Sequence, residues 1–204
     1  MLAGANADGL AAALRDQPAL TCREGDMLTV TTFLSSPESV GVWNVVPERS
    51  SIRFENKTMW GAMKVRGDFT EFSGGGEIQD ARTVSGRIEV KAASVHTGLG
   101  KLDEDLRSPA FFDVEKYPNI TVVVSGGEAT GADTVRLHAD LTAKGITAPV
   151  PLQAHVEVLD GGEVRLTART TIARKQFAVE GNMFGMVGAK TALKVSLVFR
   201  HETV

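Results

Sequence analysis

Acidic side chains are the first group in this chain whose spacing could support chemistry. Residues 103–105 are three consecutive carboxylates, which could hold a divalent cation or act as a general acid and base. Adjacent carboxylates on a helical turn point in different directions and cannot all face one ion, and no second acidic cluster accompanies them. We therefore interpret the run as the solvated start of a helix, where the helix dipole favours negative charge.

The other candidates are four histidines, His96, His138, His155 and His201, and one cysteine, Cys22. No two histidines have metal-ligand spacing within one strand, so a metal site would need assembly across strands. A single cysteine excludes an intramolecular disulfide and a cysteine-based zinc site. No nucleophile has a base at recognisable spacing. The sequence predicts a protein that is not an enzyme, with no catalytic residue, no metal and no cofactor.

Charge and hydropathy exclude further classes. A net charge of -3 with dispersed lysines and arginines gives no electrostatic argument for nucleic-acid binding. The first 25 residues have neither the basic start nor the apolar run of a secretory signal, and no segment reaches the roughly 18 apolar residues of a membrane span. The sequence as given predicts a cytoplasmic protein without a membrane span.

The elements that position these residues show strict alternation of apolar and polar side chains. Val84, Gly86, Ile88 and Val90 lie on one face of a predicted strand, and six or seven other runs repeat the pattern. Such alternation indicates antiparallel strands with one buried face. Without a helical layer, the buried faces must meet in a sandwich or a closed barrel. Glycine-rich segments at residues 74–76, 126–127, 131–133 and 160–162 are interpreted as hairpin connections.

The chain divides near residue 41. Residues 1–41 are predicted to be an N-terminal appendage with a short helix over residues 5–15, a strand over residues 27–34 and a linker over residues 35–39. Residues 42–204 are predicted to form the β-domain. Its longest irregular stretch, residues 97–118, is expected to form short helical turns across one end of the sheet, with two phenylalanines in the interior.

Several motifs together resemble one family. These are residues 43–54 (WNVVPERSSIRF), 65–69 (VRGDF), 93–98 (ASVHTG), 102–118 (LDEDLRSPAFFDVEKYP) and 141–149 (LTAKGITAP). They are similar to the YceI-like proteins, a polyisoprenoid-binding, lipocalin-like family. The resemblance implies an all-β fold, an eight-stranded antiparallel lipocalin-like barrel with short helical crossing segments and an apolar tunnel for a long lipid. Where the family commonly carries histidine, this chain has Arg49 and Thr58, which leaves the headgroup open.

The candidate ligand-binding residues are aromatic and apolar side chains on inward faces or in the segments that close the barrel, with two cations for a headgroup: Phe54, Trp60, Phe69, Phe72, Phe111, Phe112, Phe184, Met186, Arg107 and Lys144. An aliphatic chain needs only shape and dryness from such walls. The alternative for the aromatic residues is ordinary core filling, and for the cations it is surface charge. Small residues at inward positions favour a cavity, unless they accommodate a bend or a bulky neighbour: Gly67, Gly86, Ala92, Ala139, Ala154 and Ala168.

The function predicted from these observations is non-catalytic binding, sequestration or transfer of a long apolar lipid, such as a polyisoprenoid, an isoprenoid quinone or a prenyl phosphate. Two alternatives stay open. One is a filled barrel that acts as a protein-interaction or stress-related module, and the other is an enzyme acting on a prenyl or quinone headgroup. The oligomeric state, including a homodimer, is likewise open.

Overall fold

The computed structural model describes residues 29–58, 63–80, 83–181 and 187–202. Within them the chain forms two short α-helices, α1 (Val30–Ser35) and α2 (Gly100–Arg107), and eleven β-strands. The strands are β1 (Gly41–Val45), β2 (Ser51–Thr58), β3 (Met63–Phe69), β4 (Phe72–Ile78), β5 (Val84–Lys91), β6 (Val95–His96), β7 (Asn119–Ala129), β8 (Thr134–Ala143), β9 (Ile146–Val158), β10 (Val164–Ala173) and β11 (Val187–His201).

Eight strands close into an antiparallel barrel in the order β1-β4-β5-β7-β8-β9-β10-β11, and β11 pairs back with β1. The closing register places Trp43 opposite His201 and Val45 opposite Phe199. The N-terminal part of β11 pairs instead with β2, which extends the same wall through β3 to β6. The predicted all-β class and eight-stranded antiparallel barrel are confirmed.

The two ends of this barrel have different covers. The α1 end contains the β7–β8 connection, where the Val30 N–H donates to the carbonyl of Ala132 at 2.6 Å. The α2 end contains the β8–β9 turn and residues 97–118, including α2. The predicted helical crossing of one end by residues 97–118 is therefore confirmed, while a second helix covers the other end.

The predicted strand over residues 27–34 is wrong in its described part, which forms α1. The Thr29 hydroxyl accepts a hydrogen bond from the Thr32 N–H at 3.2 Å and caps the helix. Val30, Phe33 and Leu34 have the i, i+3, i+4 spacing of one helical face, and packing of that face on the barrel outweighs the β-propensity of the segment. The helix predicted over residues 5–15 lies outside the described residues.

The segment predicted as a linker is also part of the packed structure. Residues Pro37–Ser39 form a 3-10 turn, and Ser39 is fully buried. The indole Nε1 of Trp43 donates to the Ser39 carbonyl at 2.8 Å, so this turn is fixed to the first barrel strand.

Two of the four predicted glycine connections are wrong. Residues 74–76 lie within β4, where Gly74 has a φ of +141° and a Cβ would lie 2.1 Å from the Arg87 carbonyl oxygen. Residues 126–127 lie within β7, at a register shift between Val124 and Gly126. These glycines permit close strand approach and a bulge rather than a turn. Residues 131–133 and 160–162 do connect strands, as predicted.

Candidate functional site

A cavity of about 790 Å³ extends through the barrel from α1 to α2. Val30 and Phe33 line it at the α1 end, and Leu99 and Leu106 line it at the α2 end. Between them the wall consists mainly of the inward apolar side chains of the strands. A cavity of this volume is at the larger end of the range that buries small-molecule ligands. The described part of the interior is therefore not filled by its own side chains.

Four of the predicted site residues, Phe54, Phe69, Phe111 and Phe112, line this cavity. The ring centroids of Phe54 and Phe69 are 5.8 Å apart, and those of Phe69 and Phe112 are 5.7 Å apart in an edge-to-face arrangement. Edge-to-face packing is a favourable geometry for aromatic pairs. The structure thus joins residues from β2, β3 and the crossing segment into one aromatic wall near the α2 end.

Phe72, Arg107 and Lys144, by contrast, do not line the cavity. Phe72 packs against the core cluster around Ile52. Arg107 donates through Nε to the Ala93 carbonyl at 2.8 Å and through Nη2 to the Val95 carbonyl at 3.0 Å, which fixes α2 to the strand edge. Trp60, Phe184 and Met186 lie outside the described residues, so their assignment stays a prediction.

Lys144, like Arg107, donates its hydrogen bonds to backbone carbonyls. It lies in the β8–β9 turn with a φ of +50°, and its Nζ donates to the carbonyls of Pro109 and Ala178 at 3.0 Å each. The ammonium group therefore joins the turn to the crossing segment and to the residues that follow β10. This position places Lys144 in the wall at the α2 end and outside the cavity lining.

The small inward residues were expected either to leave room for a cavity or to accommodate a bend or a bulky neighbour, and both cases occur. Gly86 and Ala168 line the cavity. At Gly67, by contrast, a Cβ would lie 2.5 Å from the Phe54 ring, so this glycine accommodates a bulky neighbour. The remaining three are buried in the described structure and do not line the cavity: Ala92, Ala139 and Ala154.

Asn56 is a buried polar residue on the cavity wall. Its Nδ2 donates to the carbonyls of Gly188 and Lys190 at 3.2 Å each and to the Thr191 hydroxyl at 2.9 Å. These acceptors lie where the pairing of β2 with β11 shifts register, so the amide stabilises a bulge. Two carbonyl partners require a donor, which fixes the orientation of the amide. Its Oδ1 is buried without a partner among the described residues.

Arg174 supports the same bulge from the end of β10. Its Nε donates to the Gly188 carbonyl at 2.9 Å, and its Nη1 donates to the carbonyls of Val179 and Gly181 at 3.0 Å each. Burial lowers the pKa of this guanidinium below its ordinary value. Arg174 and Asn56 therefore place polar groups on the cavity wall whose hydrogen bonds hold the backbone in position.

Asp103 differs from the prediction of a fully solvated acidic run. It is buried in α2, and its Oδ1 accepts hydrogen bonds from the Thr97 N–H at 2.8 Å and the Thr97 hydroxyl at 2.6 Å. Desolvation acts to raise the pKa of this carboxyl, but the Thr97 hydrogen bonds, together with the electrostatic effect of His96 and Arg107, outweigh it and hold the pKa below its ordinary value. The prediction failed because tertiary contact brings residue 97 over this carboxylate, while Glu104 remains exposed.

The histidines lie at separate places on the surface. His138 and His155 are more than half exposed, and His155 pairs with Asp133 at 3.1 Å. Within the described residues, no group of three or more His, Cys, Asp or Glu side chains is placed to hold a metal ion. No helix in the same part of the chain has the length and apolar character needed to cross a membrane.

The comparison with protein families agrees with the barrel and its cavity. Residues 43–199 match the family model described as YceI-like domain. The chain belongs to the YceI-like family. The sequence resemblance is thereby confirmed, and α1 lies before the matched residues.

Curated relatives of this YceI-like chain include proteins named UPF0312. One from Pseudomonas putida is 32% identical over 124 residues, covering 57% of this chain and 65% of the relative. Another from Azotobacter vinelandii is 32% identical over 90 residues, covering 43% of this chain and 47% of the relative. The chain thus spans less than two thirds of the length of these relatives.

Solved structures share the YceI-like fold. The crystal structure of Burkholderia cenocepacia BcnA has a TM-score of 0.68 at 22% identity, covering 76% of this chain and 98% of that one. A polyisoprenoid binding domain from Saccharophagus degradans, implicated in plant cell wall breakdown, also has a TM-score of 0.68, at 18% identity, covering 78% and 98%. At these identities the likeness establishes the fold.

Sequence reasoning missed several residues of the YceI-like cavity. Val30, Phe33 and Leu34 line it from α1, and their helical spacing was the available signal. Trp43 lines the cavity from β1, and Asn56 does so from β2. Asn56 lies on the same inward face of β2 as Ile52 and Phe54. A polar residue on this otherwise apolar face was the available signal of a side-chain hydrogen bond.

Proposed function

We propose that this YceI-like protein binds a long apolar lipid inside its barrel without catalysis, and that it sequesters or transfers this lipid. The observation that carries the proposal is the cavity of about 790 Å³ with its mainly apolar lining. Burial of each methylene contributes about 0.8 kcal/mol, so a long chain can be held without a hydrogen bond. Mixed aromatic and aliphatic walls suit a flexible hydrocarbon because they require no fixed polar partner.

The proposed ligand class is a polyisoprenoid chain, carried by a quinone or a prenyl phosphate. The aromatic wall of Phe54, Phe69, Phe111 and Phe112 supports it, since flat rings can pack against a branched hydrocarbon. The Saccharophagus degradans domain with this fold is described as polyisoprenoid binding, which favours the same class here. Phe72, Arg107 and Lys144 are left out of the proposed site because they do not line the cavity.

We further propose that the lipid enters at the α2 end. Leu99 lines the cavity there and is 63% exposed, so it belongs to both the lining and the outer surface. Lys101 and Asp105 of α2 also line this end and pair with each other at 3.1 Å. An exposed apolar residue beside charged groups suits a lipid whose tail lies inside the cavity and whose polar headgroup stays near water.

The cavity weakens the case for a filled barrel, because a module that acts only through its surface needs no open interior. An enzyme acting on a headgroup would need reactive side chains free at the cavity. Among the polar residues of the described lining, Asn56 and Arg174 are instead bonded to backbone carbonyls, and Lys101 pairs with Asp105. Turnover of the extracted lipid by the purified protein would revive the enzyme alternative. The homodimer stays a prediction.

The direct test is native mass spectrometry of the full chain purified from its own host, followed by solvent extraction. We expect a discrete added mass that is released as a prenyl lipid. An apo mass, together with no uptake of added polyprenols by the purified protein, would contradict the proposal and favour the surface-binding alternative.

A substitution in the cavity lining tests whether the lipid binds there. Phe112→Asp introduces a charge into the cavity lining, where burial of an unpaired carboxylate beside a hydrocarbon is costly, and lipid retention should be lost. Val123→Asp is the matched control, because Val123 lies on β7, is 37% exposed and does not line the cavity. Retained lipid in folded Phe112→Asp would refute the assignment. If that variant fails to fold, Ala168→Leu, which narrows the cavity, should reduce lipid content instead.

A further inference from the structure

The helix α1 crosses the barrel mouth from wall to wall. In the closed ring, β1 and β8 are separated by three strands on each side and therefore lie opposite one another. At its first residue α1 packs Val30 against inward side chains of β8, β9 and β10, including Val135 and Ala168. One turn later, the Phe33 ring meets Trp43 of β1, with centroids 5.8 Å apart. These contacts place the helix across the diameter of the opening.

Both ends of α1 are fixed in this position. At its start, Val30 is 3% exposed and its N–H donates to the Ala132 carbonyl at 2.6 Å. After its end, the fully buried Ser39 accepts the indole hydrogen bond of Trp43 at 2.8 Å. The helix is thus attached to opposite sides of the barrel by a backbone hydrogen bond and a side-chain hydrogen bond.

The inner face of α1 forms the end of the cavity. Phe33 and Leu34 line it together with Val30, while Thr31 and Thr32 on the other side of the helix are exposed. A tail that enters at the α2 end and extends along the barrel therefore reaches these apolar side chains. The family model begins at residue 43, so this end wall precedes the part of the chain that matches the family.

We infer that α1 sets the maximum tail length of the lipid, with Phe33 and Leu34 as the residues that determine this specificity. The inference rests on the proposed lipid-binding function and deepens it by naming what limits the ligand. A tail that fits up to Phe33 and Leu34 gains burial along its whole length. A longer tail must fold back or leave carbons outside the cavity, and each such carbon loses its contribution to binding.

The test uses the full chain, stripped of lipid and then offered an equimolar series of all-trans polyprenols of increasing length, with occupancy measured by native mass spectrometry. The wild type should bind prenols up to a cutoff and bind longer ones poorly. Phe33→Ala and Leu34→Ala should move that cutoff to longer prenols by about one isoprene unit, since each vacates the volume of three to six carbons. Leu34→Trp should move it to shorter ones.

Thr31→Ala is the matched control, because Thr31 belongs to the same helix but is exposed to solvent. Its cutoff should equal that of the wild type. An unchanged cutoff in folded Phe33→Ala and Leu34→Ala overturns the inference, as does an unchanged cutoff in Leu34→Trp if the alanine variants fail to fold. A wild type that binds no polyprenol of any length contradicts the proposed function itself, which separates the two failures.

Discussion

The two ends of the barrel are covered in different ways. At the α1 end, buried apolar and indole contacts join a helix to opposite walls. At the α2 end, the crossing segment packs Phe111 and Phe112 on the barrel, while α2 is also held by polar contacts of Asp103 and Arg107 with residues 93–97. This cover leaves Leu99 63% exposed. Buried apolar contacts are costly to break, whereas polar contacts near solvent can be exchanged at lower cost. Under the proposed function, the α1 end is the closed end and the α2 end is the entry end.

The largest effect on stability is expected at the closed end. Trp43 is 5% exposed, packs on Phe33 and His201, and donates to the Ser39 carbonyl. Trp43→Ala should lower the free energy of unfolding by about 3–5 kcal/mol in urea denaturation, because it leaves a large cavity and an unpaired carbonyl. Val42→Ala on the same strand, where Val42 is 44% exposed, should cost less than about 0.5 kcal/mol. A loss below about 1 kcal/mol for Trp43→Ala would show that the α1 end is not held by these buried contacts.

A smaller loss is expected at the entry end. Asp103→Ala removes the acceptor of the Thr97 N–H and hydroxyl, which should cost about 1–3 kcal/mol in the same measurement. Glu104→Ala is the control, because the Glu104 side chain is 71% exposed. Equal losses for the two variants would show that α2 is not held by Asp103.

The contribution of Asp103 should depend on pH. Its pKa in the folded protein is held below the ordinary value of 3.8, so its stabilisation is complete above that pH and is lost as the pH falls through the lowered pKa. The difference in unfolding free energy between wild type and Asp103→Ala should therefore shrink as the pH falls below about 3.8. A difference that stays unchanged as the pH falls below about 3.8 would contradict this assignment.

Leu99 lines the cavity at the α2 end and is exposed. Its substitution should have the smallest effect on stability and a clear effect on the entry of the lipid. Leu99→Ser should change the unfolding free energy by less than about 0.5 kcal/mol, because the side chain is mostly exposed. Uptake of a fluorescent polyprenol by lipid-free protein, followed by stopped flow, should slow. Ile146→Ser, an exposed residue of the same end that does not line the cavity, should leave uptake unchanged. Equal uptake rates in all three proteins would place the entry elsewhere.

The sequence anticipated much of the cavity and part of its lining. Alternation placed Phe54 and Phe69 on inward faces, and the paired Phe111 and Phe112 were expected in the interior; all four line the cavity. Phe72 has the same strand pattern but packs against the core instead. Alternation along a strand predicts on which side of the sheet a side chain lies, but it does not predict which residues face that side chain across the barrel.

Helix α1 shows a second limit. Its β-branched and aromatic composition favours a strand in isolation, yet Thr29 caps a helix whose apolar face meets β8 and β1. The two strands that α1 joins are far apart in sequence, because β1 ends at Val45 and β8 begins at Thr134, so no local pattern could specify the partner. The tertiary contact decides between two conformations whose intrinsic preferences differ little.

The amino-acid sequence alone was enough to predict antiparallel strands with one buried face, because alternation follows from backbone geometry residue by residue. The choice of a barrel over a sandwich came from the family resemblance. The motifs of the sequence also determined the family. The three-dimensional structure was needed to show that the barrel encloses a cavity, that α1 covers one end, and that Arg107 and Lys144 bond to backbone carbonyls instead of lining the cavity. Empty volume and hydrogen-bond partners depend on groups that strand pairing brings together across the chain, such as Trp43 and His201 at the closing seam.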